Sequence, residues 1–408
     1  MLWIKLAYRN IVRNKSRSFV SIAAIAGSII LLTFMDNMQT GSYNAMINNG
    51  IKSGSGHIGI YHSNYLSSRE LEDSFDFQLV KQSLLNKDIK KYYPRLYVPS
   101  LIRSSRNSSG GVVLGLDILK ERNISPLLKD KVLIDGDWPR PNNSKDVLIG
   151  YKLAKELSLG VGKKFVVMAK GNHDEINSKL FRIRGIIKAG VSNIDKTTII
   201  THLSNVQKLI QSKDRVHEVA IHLSSFEQIK DNLNLLSQQI PAPIKAFSWQ
   251  EAQPSLLDLI KIDRANGIMM GTFLMLIVGI GAINTMVMSV MDRTREFGVL
   301  RAIGMNSSYI RLIVFLEALI LGFIAIFIGM IISLLLTYYT STHGIDFSEV
   351  MKDMDVAGVM IDPIIYTVLN LKGNLLICLS MLIINILSSI YPAYLATTIE
   401  PAQAMQRK

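Results

Sequence analysis

Residues 265–291 read ANGIMMGTFLMLIVGIGAINTMVMSVM, with no charged side chain between Arg264 and Asp292. About 20 apolar residues of helix cross a hydrocarbon core of roughly 30 Å, and in lipid a helix satisfies its own backbone hydrogen bonds. This stretch therefore reads as a membrane span. Working outward, three more stretches meet the same rule: residues 18–37, apolar from Ser18 to Met35; residues 310–340, which carry Glu317 in their first turns; and residues 373–399. Apolar residues make up 49% of the 408, charged ones only 19%, and the mean hydropathy is +0.26, a balance expected when part of a chain sits in lipid.

The first span is preceded by Lys5, Arg9, Arg13, Lys15 and Arg17. A cleaved signal peptide has a similar start. Here the apolar run is longer than a usual signal core, and it continues as Asp36-Asn37-Met38-Gln39 with no small-x-small cleavage site, so it is expected to stay in the membrane. Basic residues in short flanks mark the cytoplasmic side. The N-terminal flank and the segment 292–309 are rich in arginine, whereas 341–372 carries Asp346, Glu349, Asp353, Asp355 and Asp362 against Lys352 and Lys372. The expected topology has both ends inside, a cytoplasmic tail 400–408, and the long segment 38–264 outside.

That long segment changes texture. Short alternating runs at His57–Tyr61, Val112–Leu116, Lys164–Met168, Phe181–Ile187, Thr197–Thr201 and Glu218–Leu223 read as strands. Helical patterns fall at Phe77–Asn86, Tyr151–Leu157, Asn205–Gln211 and Phe226–Gln239. The expected fold class is a four-span α-helical membrane protein with a large α+β extracytoplasmic domain between the first and second spans. Pro139, Pro141 and Asn142–Ser144 suggest a seam between two subdomains. The helix around Trp249–Arg264 is expected to feed directly into the second span.

Chemical motifs are scarce. The nearest approach to a phosphate-binding loop, Gly160-Val161-Gly162-Lys163-Lys164, has Leu157 where the first glycine belongs and Lys164 where the hydroxyl belongs. The pairs His57/His62 and His217/His222 lack partners spaced for a metal, and on strands each pair places its rings on opposite faces. No nucleophile elbow and no basic-aromatic nucleic-acid pattern occurs. The chain is expected to be no enzyme, to hold no metal and to bind no nucleic acid.

Three motifs carry a reading. The run Leu6 to Arg17 sets Lys5, Arg9 and Arg13 on one helical stripe with Arg17 beyond it, as in a helix lying at a membrane surface; a plain topology signal explains the same charge. The segment Arg295-Glu296-Phe297-Gly298-Val299-Leu300-Arg301-Ala302-Ile303-Gly304-Met305 reads as a short cytoplasmic helix ended by Gly304. Phe297, Leu300 and Ile303 or Gly304 share a face that either docks a cytoplasmic protein or rests on the membrane. In the run Tyr391 to Met405, Pro392 kinks the last span and Pro401 opens a short final helix.

Together these motifs resemble the FtsX/MacB-type, or type VII, ABC permeases: Leu-Ala-x-Arg-Asn at the start, Arg-Glu-Phe-Gly-Val-Leu-Arg-Ala-Ile-Gly-Met after the second span, and Tyr-Pro-Ala near the end. Val147 to Ala154 with Leu159 to Lys164 looks like that family's inserted Sabre subdomain, so 38–264 is expected to hold Sabre- and Porter-like parts. Within the family the chain is most similar to the lipoprotein-releasing permeases LolC and LolE. The resemblance implies lipoprotein release to a periplasmic carrier of the LolA kind, driven by a separate LolD-like ATPase that holds ATP and Mg, with a second permease chain alongside. Arg295, Glu296, Phe297, Leu300, Arg301, Ile303 and Gly304 would form the coupling helix. Phe34, Met35, Met38, Met269, Met270 and Phe273 would line an acyl-chain cavity. Two other outputs fit the same scaffold: MacB-like export of a small molecule or peptide, and FtsX-like control of a cell-wall hydrolase.

Overall fold

The computed structural model describes residues 2–13, 15–86, 89, 91–141, 143–171, 175–349 and 363–398. The chain opens with helices α1 (Leu2–Arg13) and α2 (Lys15–Ser53). A mixed region follows: β1 (Ile58–His62), α3 (Gln78–Asn86), β2 (Tyr92–Arg103), β3 (Ser108–Leu116), β4 (Leu133–Gly136), β5 (Asp146–Gly150), α4 (Tyr151–Glu156), β6 (Lys164–Lys170), β7 (Ile176–Ile187), β8 (Thr198–His202), α5 (Leu203–Leu209), β9 (Glu218–Ile221), α6 (Gln228–Gln239) and β10 (Ile244–Ser248). The later elements are mostly helices: α7 (Trp249–Ala252), α8 (Pro254–Asp292), α9 (Thr294–Ala302), α10 (Ser307–His343), α11 (Leu371–Ser388) and α12 (Ile390–Thr398). The chain divides into two compact units, one helical, of Met1–Tyr43, Lys261–Asp346 and Ile364–Lys408, and one of Asn44–Ile260 with Phe347–Pro363.

Among the described residues, four helices are long and apolar enough to cross a membrane: α2, α8, α10, and α11 with α12. The first two have 39 residues each, nearly 60 Å at about 1.5 Å per residue. They therefore run well past the expected span limits at 37 and 265. At its far end α8 begins on Pro254, whose missing N–H costs nothing at a helix start. The expected kink in the last span appears as a break at Ser389 between α11 and α12. Pro392 has no N–H for the Ser388 carbonyl four residues back, and its ring crowds that carbonyl. Beside the break, the Ser388 hydroxyl donates to Gly279 O, 3.0 Å away on α8.

The spans are joined by polar side chains as well as by packing. Thr33 donates to Ser333 at 2.7 Å and Asn37 to Thr337 at 3.0 Å, both buried between α2 and α10. One turn below this ladder, Gly329 lies against Ile29, where an added Cβ would stand 3.0 Å from the isoleucine. Such contacts replace the hydrophobic drive that lipid does not supply.

The second unit is built on one ten-stranded sheet in the order β10-β1-β9-β2-β3-β8-β5-β7-β4, with β6 pairing both β2 and β7. Its longest strands include β2, which was not anticipated from the sequence. Pro94, Pro99, Arg95 and Arg103 disguise it, yet its inward residues Leu96, Val98 and Ile102 are fully buried. Each proline forfeits one ladder bond, and packing on both sides offsets the loss. The expected subdomain seam is corrected here: residues 139–144 connect β4 to β5, and both strands pair with the same neighbour, β7. The prolines mark a turn inside one sheet. The core on that sheet includes a large cluster around Leu96, Phe165, Phe181 and Ile199, with smaller ones beside it.

Candidate functional site

Two clusters of charge stand out, one in each unit. In the helical unit the sequence places an acid, Glu317, inside an apolar helix. An ionised group there needs a partner. Glu317 accepts two hydrogen bonds from Arg293 Nη1, at 2.8 and 3.1 Å, and one from Asn10 Nδ2 at 2.7 Å. Arg293 is nearly buried; its Nε donates to Glu296 at 3.3 Å and its guanidinium lies over the Phe297 ring. The other Glu296 oxygen takes Arg13, and Arg17 pairs with Asp292. Three helices are thereby tied: α1 through Asn10 and Arg13, α9 through Glu296, and α10 through Glu317. Ala7 and Ile11 seat α1 from below, with Ile11 packed among Met286, Ala318 and Leu321.

Of the four basic residues expected at the membrane surface, Arg13 and Arg17 are engaged with these acids, while Lys5 and Arg9 are exposed. Asn10, Arg293 and Glu317 were missed as site residues; a carboxylate in an apolar span, with an arginine just past the preceding span, was the available signal.

The expected docking face of α9 is corrected. Phe297 is buried among Val290, Ile310, Val314, Ala393 and Ala396, with Leu300 packed against the same cluster. Phe297 is thereby turned into the bundle, and Leu300 is half-buried beside it. The outward face is instead Arg295, Glu296, Val299, Ala302 and Ile303, the last 79% exposed. Arg301 Nη1 holds Thr397 O of α12 at 3.0 Å. Gly304 ends the segment at φ +97°, a backbone that side chains with a Cβ rarely adopt, and Asn306 caps α10 by accepting from Ser308 N–H.

Six residues were expected to line an acyl-chain cavity. Met35, Met269, Met270 and Phe273 are exposed; Phe34 and Met38 are half-buried.

The second cluster lies in the Asn44–Ile260 unit. Arg95, 2% exposed, projects from β2 and donates to Glu121 through Nε (2.9 Å) and Nη2 (2.7 Å). Its Nη1 donates to Ser53 O (3.0 Å) and Gly54 O (2.6 Å), the carbonyls that end α2. A cation at helix-end carbonyls is favoured by the helix dipole. Glu218 stands 3.8 Å from Arg95 and accepts the phenols of Tyr61 (2.6 Å) and Tyr97 (2.7 Å). Burial, then the neighbouring Glu218 charge, holds both phenols well above the usual tyrosine range. Burial also raises Glu121, against the opposing pull of Arg95.

The start of α8 is locked to the same place. Ser248 and Glu251 form a capping box for α7. Gln253 Nε2 donates to Gly50 O (3.0 Å) and Ser55 Oγ (3.2 Å). Gly50 and Gly54 permit this approach, since a Cβ on either would fall within 2.8 Å of Leu256 or Gln253.

The four histidines of the two spaced pairs all sit near this part of the sheet. His57 and His222 meet edge to face at 6.0 Å across β1 and β9, while His217 stacks on Tyr65 at 4.5 Å. His217 Nδ1 accepts from Tyr97 N–H and Nε2 faces Leu71 O, a pairing that suits the neutral ring. Burial lowers His217 to about 4 and His222 to about 3. Among the described residues no three His, Cys, Asp or Glu side chains gather as metal ligands would.

Comparison with known proteins agrees with this architecture. Residues 18–236 match the family model described as the MacB-like periplasmic core domain, and residues 268–401 that of the FtsX-like permease C-terminal region. The chain is 21% identical to the lipoprotein-releasing system transmembrane protein LolC of Xylella fastidiosa strain Temecula1, over 97% of this chain and 95% of that one. Against LolC of strain 9a5c the match is 22% and spans 64% of each chain. Among solved structures, the extracellular domain of the noncanonic ABC-type transporter YknZ from Gram-positive bacteria is 14% identical, with a TM-score of 0.35 over 47% of this chain and 99% of that one.

Proposed function

The chain belongs to the FtsX/MacB-type ABC permeases, and from that premise we propose that it is the permease subunit of a lipoprotein-releasing transporter. Such subunits are not themselves catalytic. The observation that carries the reading is the likeness to LolC along nearly the whole chain, outer domain included. In this reading the arginine-rich end of the bundle faces the cytoplasm of a bacterial inner membrane. A separate ATPase, holding ATP and Mg, seats on the outward face of α9. A second permease chain, the same or a paralogue, completes the membrane part.

The two 39-residue helices supply a mechanism. Each runs without a break from a span into residues of the Asn44–Ile260 unit, and in this reading tilting the span would carry movement outward. At that end α2 is held by Arg95 and α8 by the α7 capping box and Gln253. A stroke begun at α9 would pass through the Arg293–Glu317 knot into the spans and then into the sheet. Lipoprotein would be lifted from the outer leaflet and handed to a periplasmic carrier. The exposed Met35, Met269, Met270 and Phe273 would meet acyl chains at the seam with the second permease chain, since methionine and phenylalanine adapt to varied apolar shapes.

Depletion of the protein tests this. Outer-membrane lipoproteins should accumulate in the inner membrane. Unchanged sorting would remove lipoprotein release and redirect the search to an exported molecule or a cell-wall hydrolase. Separately, Ile303→Glu should abolish co-purification of the ATPase while leaving the permease in the membrane.

A further inference from the structure

At the arginine-rich end of the bundle, α10 and α12 enclose a groove of about 470 Å³. One wall is Ser308, Arg311, Leu312 and Phe315, spaced so that they share a face of α10; the other is Ile390, Ala393 and Tyr394 of α12. The break at Ser389 starts α12 afresh, and Ala393, buried and small, leaves the floor open. We propose that this groove binds an anionic phospholipid, with its phosphate at Arg311 and the start of an acyl chain along Leu312, Phe315 and Ile390.

Three observations choose that occupant. First, Arg311 is exposed, and among the described residues its side chain meets Ser308 Oγ at 3.3 Å. At the same end Arg13, Arg17 and Arg293 are paired with carboxylates, and the exposed Lys5, Arg9 and Arg295 do not line the groove. A guanidinium left free beside a hydroxyl matches a phosphate, which takes parallel N–H bonds from it. Second, the groove is apolar below that point and opens on the side of the bundle, where Leu312 and Ile390 are themselves exposed. A soluble anion gains nothing from such walls; a lipid chain does. Third, Tyr391 and Tyr394 are exposed beside it, with ring and hydroxyl suited to the headgroup layer. The N-terminus of the 37-residue α10 adds favourable potential for a negative group. Assignment to the inner leaflet rests on the topology proposed above; the lipid chemistry does not.

The test is native mass spectrometry of the full chain in detergent, titrated separately with phosphatidylglycerol and phosphatidylcholine. Phosphatidylglycerol should be retained under activation that strips phosphatidylcholine. Arg311→Ala should weaken phosphatidylglycerol binding roughly tenfold, the worth of one charge-assisted contact. Arg311→Lys should restore most of it. Lys372→Ala, an exposed cation at the other end of the last span, should change nothing. Equal retention of the two lipids, or equal binding by wild type and Arg311→Ala, overturns the proposal. So does full competition by inorganic phosphate, which would mean that the apolar walls contribute nothing. If Arg311→Ala leaves lipid binding intact but lowers recovery of the ATPase subunit, the groove is a protein contact and the proposal fails. A detergent measurement has no leaflets, so reversed topology, read by cysteine labelling, would leave this result unaffected.

Discussion

Arg95 and Arg293 are each ringed by two glutamates, yet they do different things. Arg95 is sealed in the mixed unit, 2% exposed, and spends its Nη1 on the backbone carbonyls of Ser53 and Gly54. Arg293 is buried too, but the chain of contacts that leaves it ends at the surface. It passes from Glu317 to Glu296, and Glu296 reaches an exposed Arg13. The first arrangement is a weld between a helix end and a sheet. The second is a graded joint, firm at Glu317 and loose at Arg13. The difference follows from burial: a charge closed off from water is held by every partner around it, whereas one that ends at the surface is screened there.

The comparison can be broken at its strongest point. Arg95→Ala leaves Glu121 and Glu218 buried without their cation, an error worth about 3–5 kcal/mol. The mixed unit should lose its cooperative thermal transition, while the spans keep their helical circular dichroism. A melting curve within a few degrees of wild type would show that the weld is not structural. Next, Arg293→Ala should cost about 3 kcal/mol, because Glu317 is then stranded in an apolar helix. Pairing it with Glu317→Met should recover much of that loss in a double-mutant cycle; simple additivity would deny the link.

A third effect belongs to the mixed unit alone. His217 is held neutral, lowered to about 4 from an ordinary 6.5. The unfolded chain then binds the proton first as pH falls, so the His217 contribution is complete above about 6.5 and is lost on the way down to about 4. At pH 5 the loss is about 2 kcal/mol. His217→Gln should lessen the fall in melting temperature between pH 7 and pH 5, with the buried His222 supplying a further part; an unchanged slope would remove His217 burial as a cause. The smallest effect is at the loose end of the joint. Arg13→Ala removes an exposed ion pair and should cost less than about 1 kcal/mol. A larger loss of stability would mean that α1 is held through Arg13 and not through Ile11 and Asn10.

Much of the fold was legible because its signals are local. A 27-residue apolar run between Arg264 and Asp292 has one stable solution in lipid, and alternating runs such as Lys164–Met168 fall where β6 lies. Strand β2 escaped because its prolines and arginines carry the opposite local signal, and only the neighbours β9, β3 and β6 make them tolerable. The site was less legible. The segment 295–304 was readable as a helix, but its inward face was not, because the residues that bury Phe297 come from Val290, Ile310, Val314 and the distant Ala393 and Ala396.

By itself the sequence determined which segments enter lipid and which alternate as strands, since hydropathy and periodicity are summed over neighbours along the chain. The tertiary structure decided which charges meet. Glu317 and Asn10 are 307 residues apart, Arg95 and Gly54 are 41, and no local rule brings either pair together. Burial strengthens those contacts once they form, and burial is a property of the packed molecule.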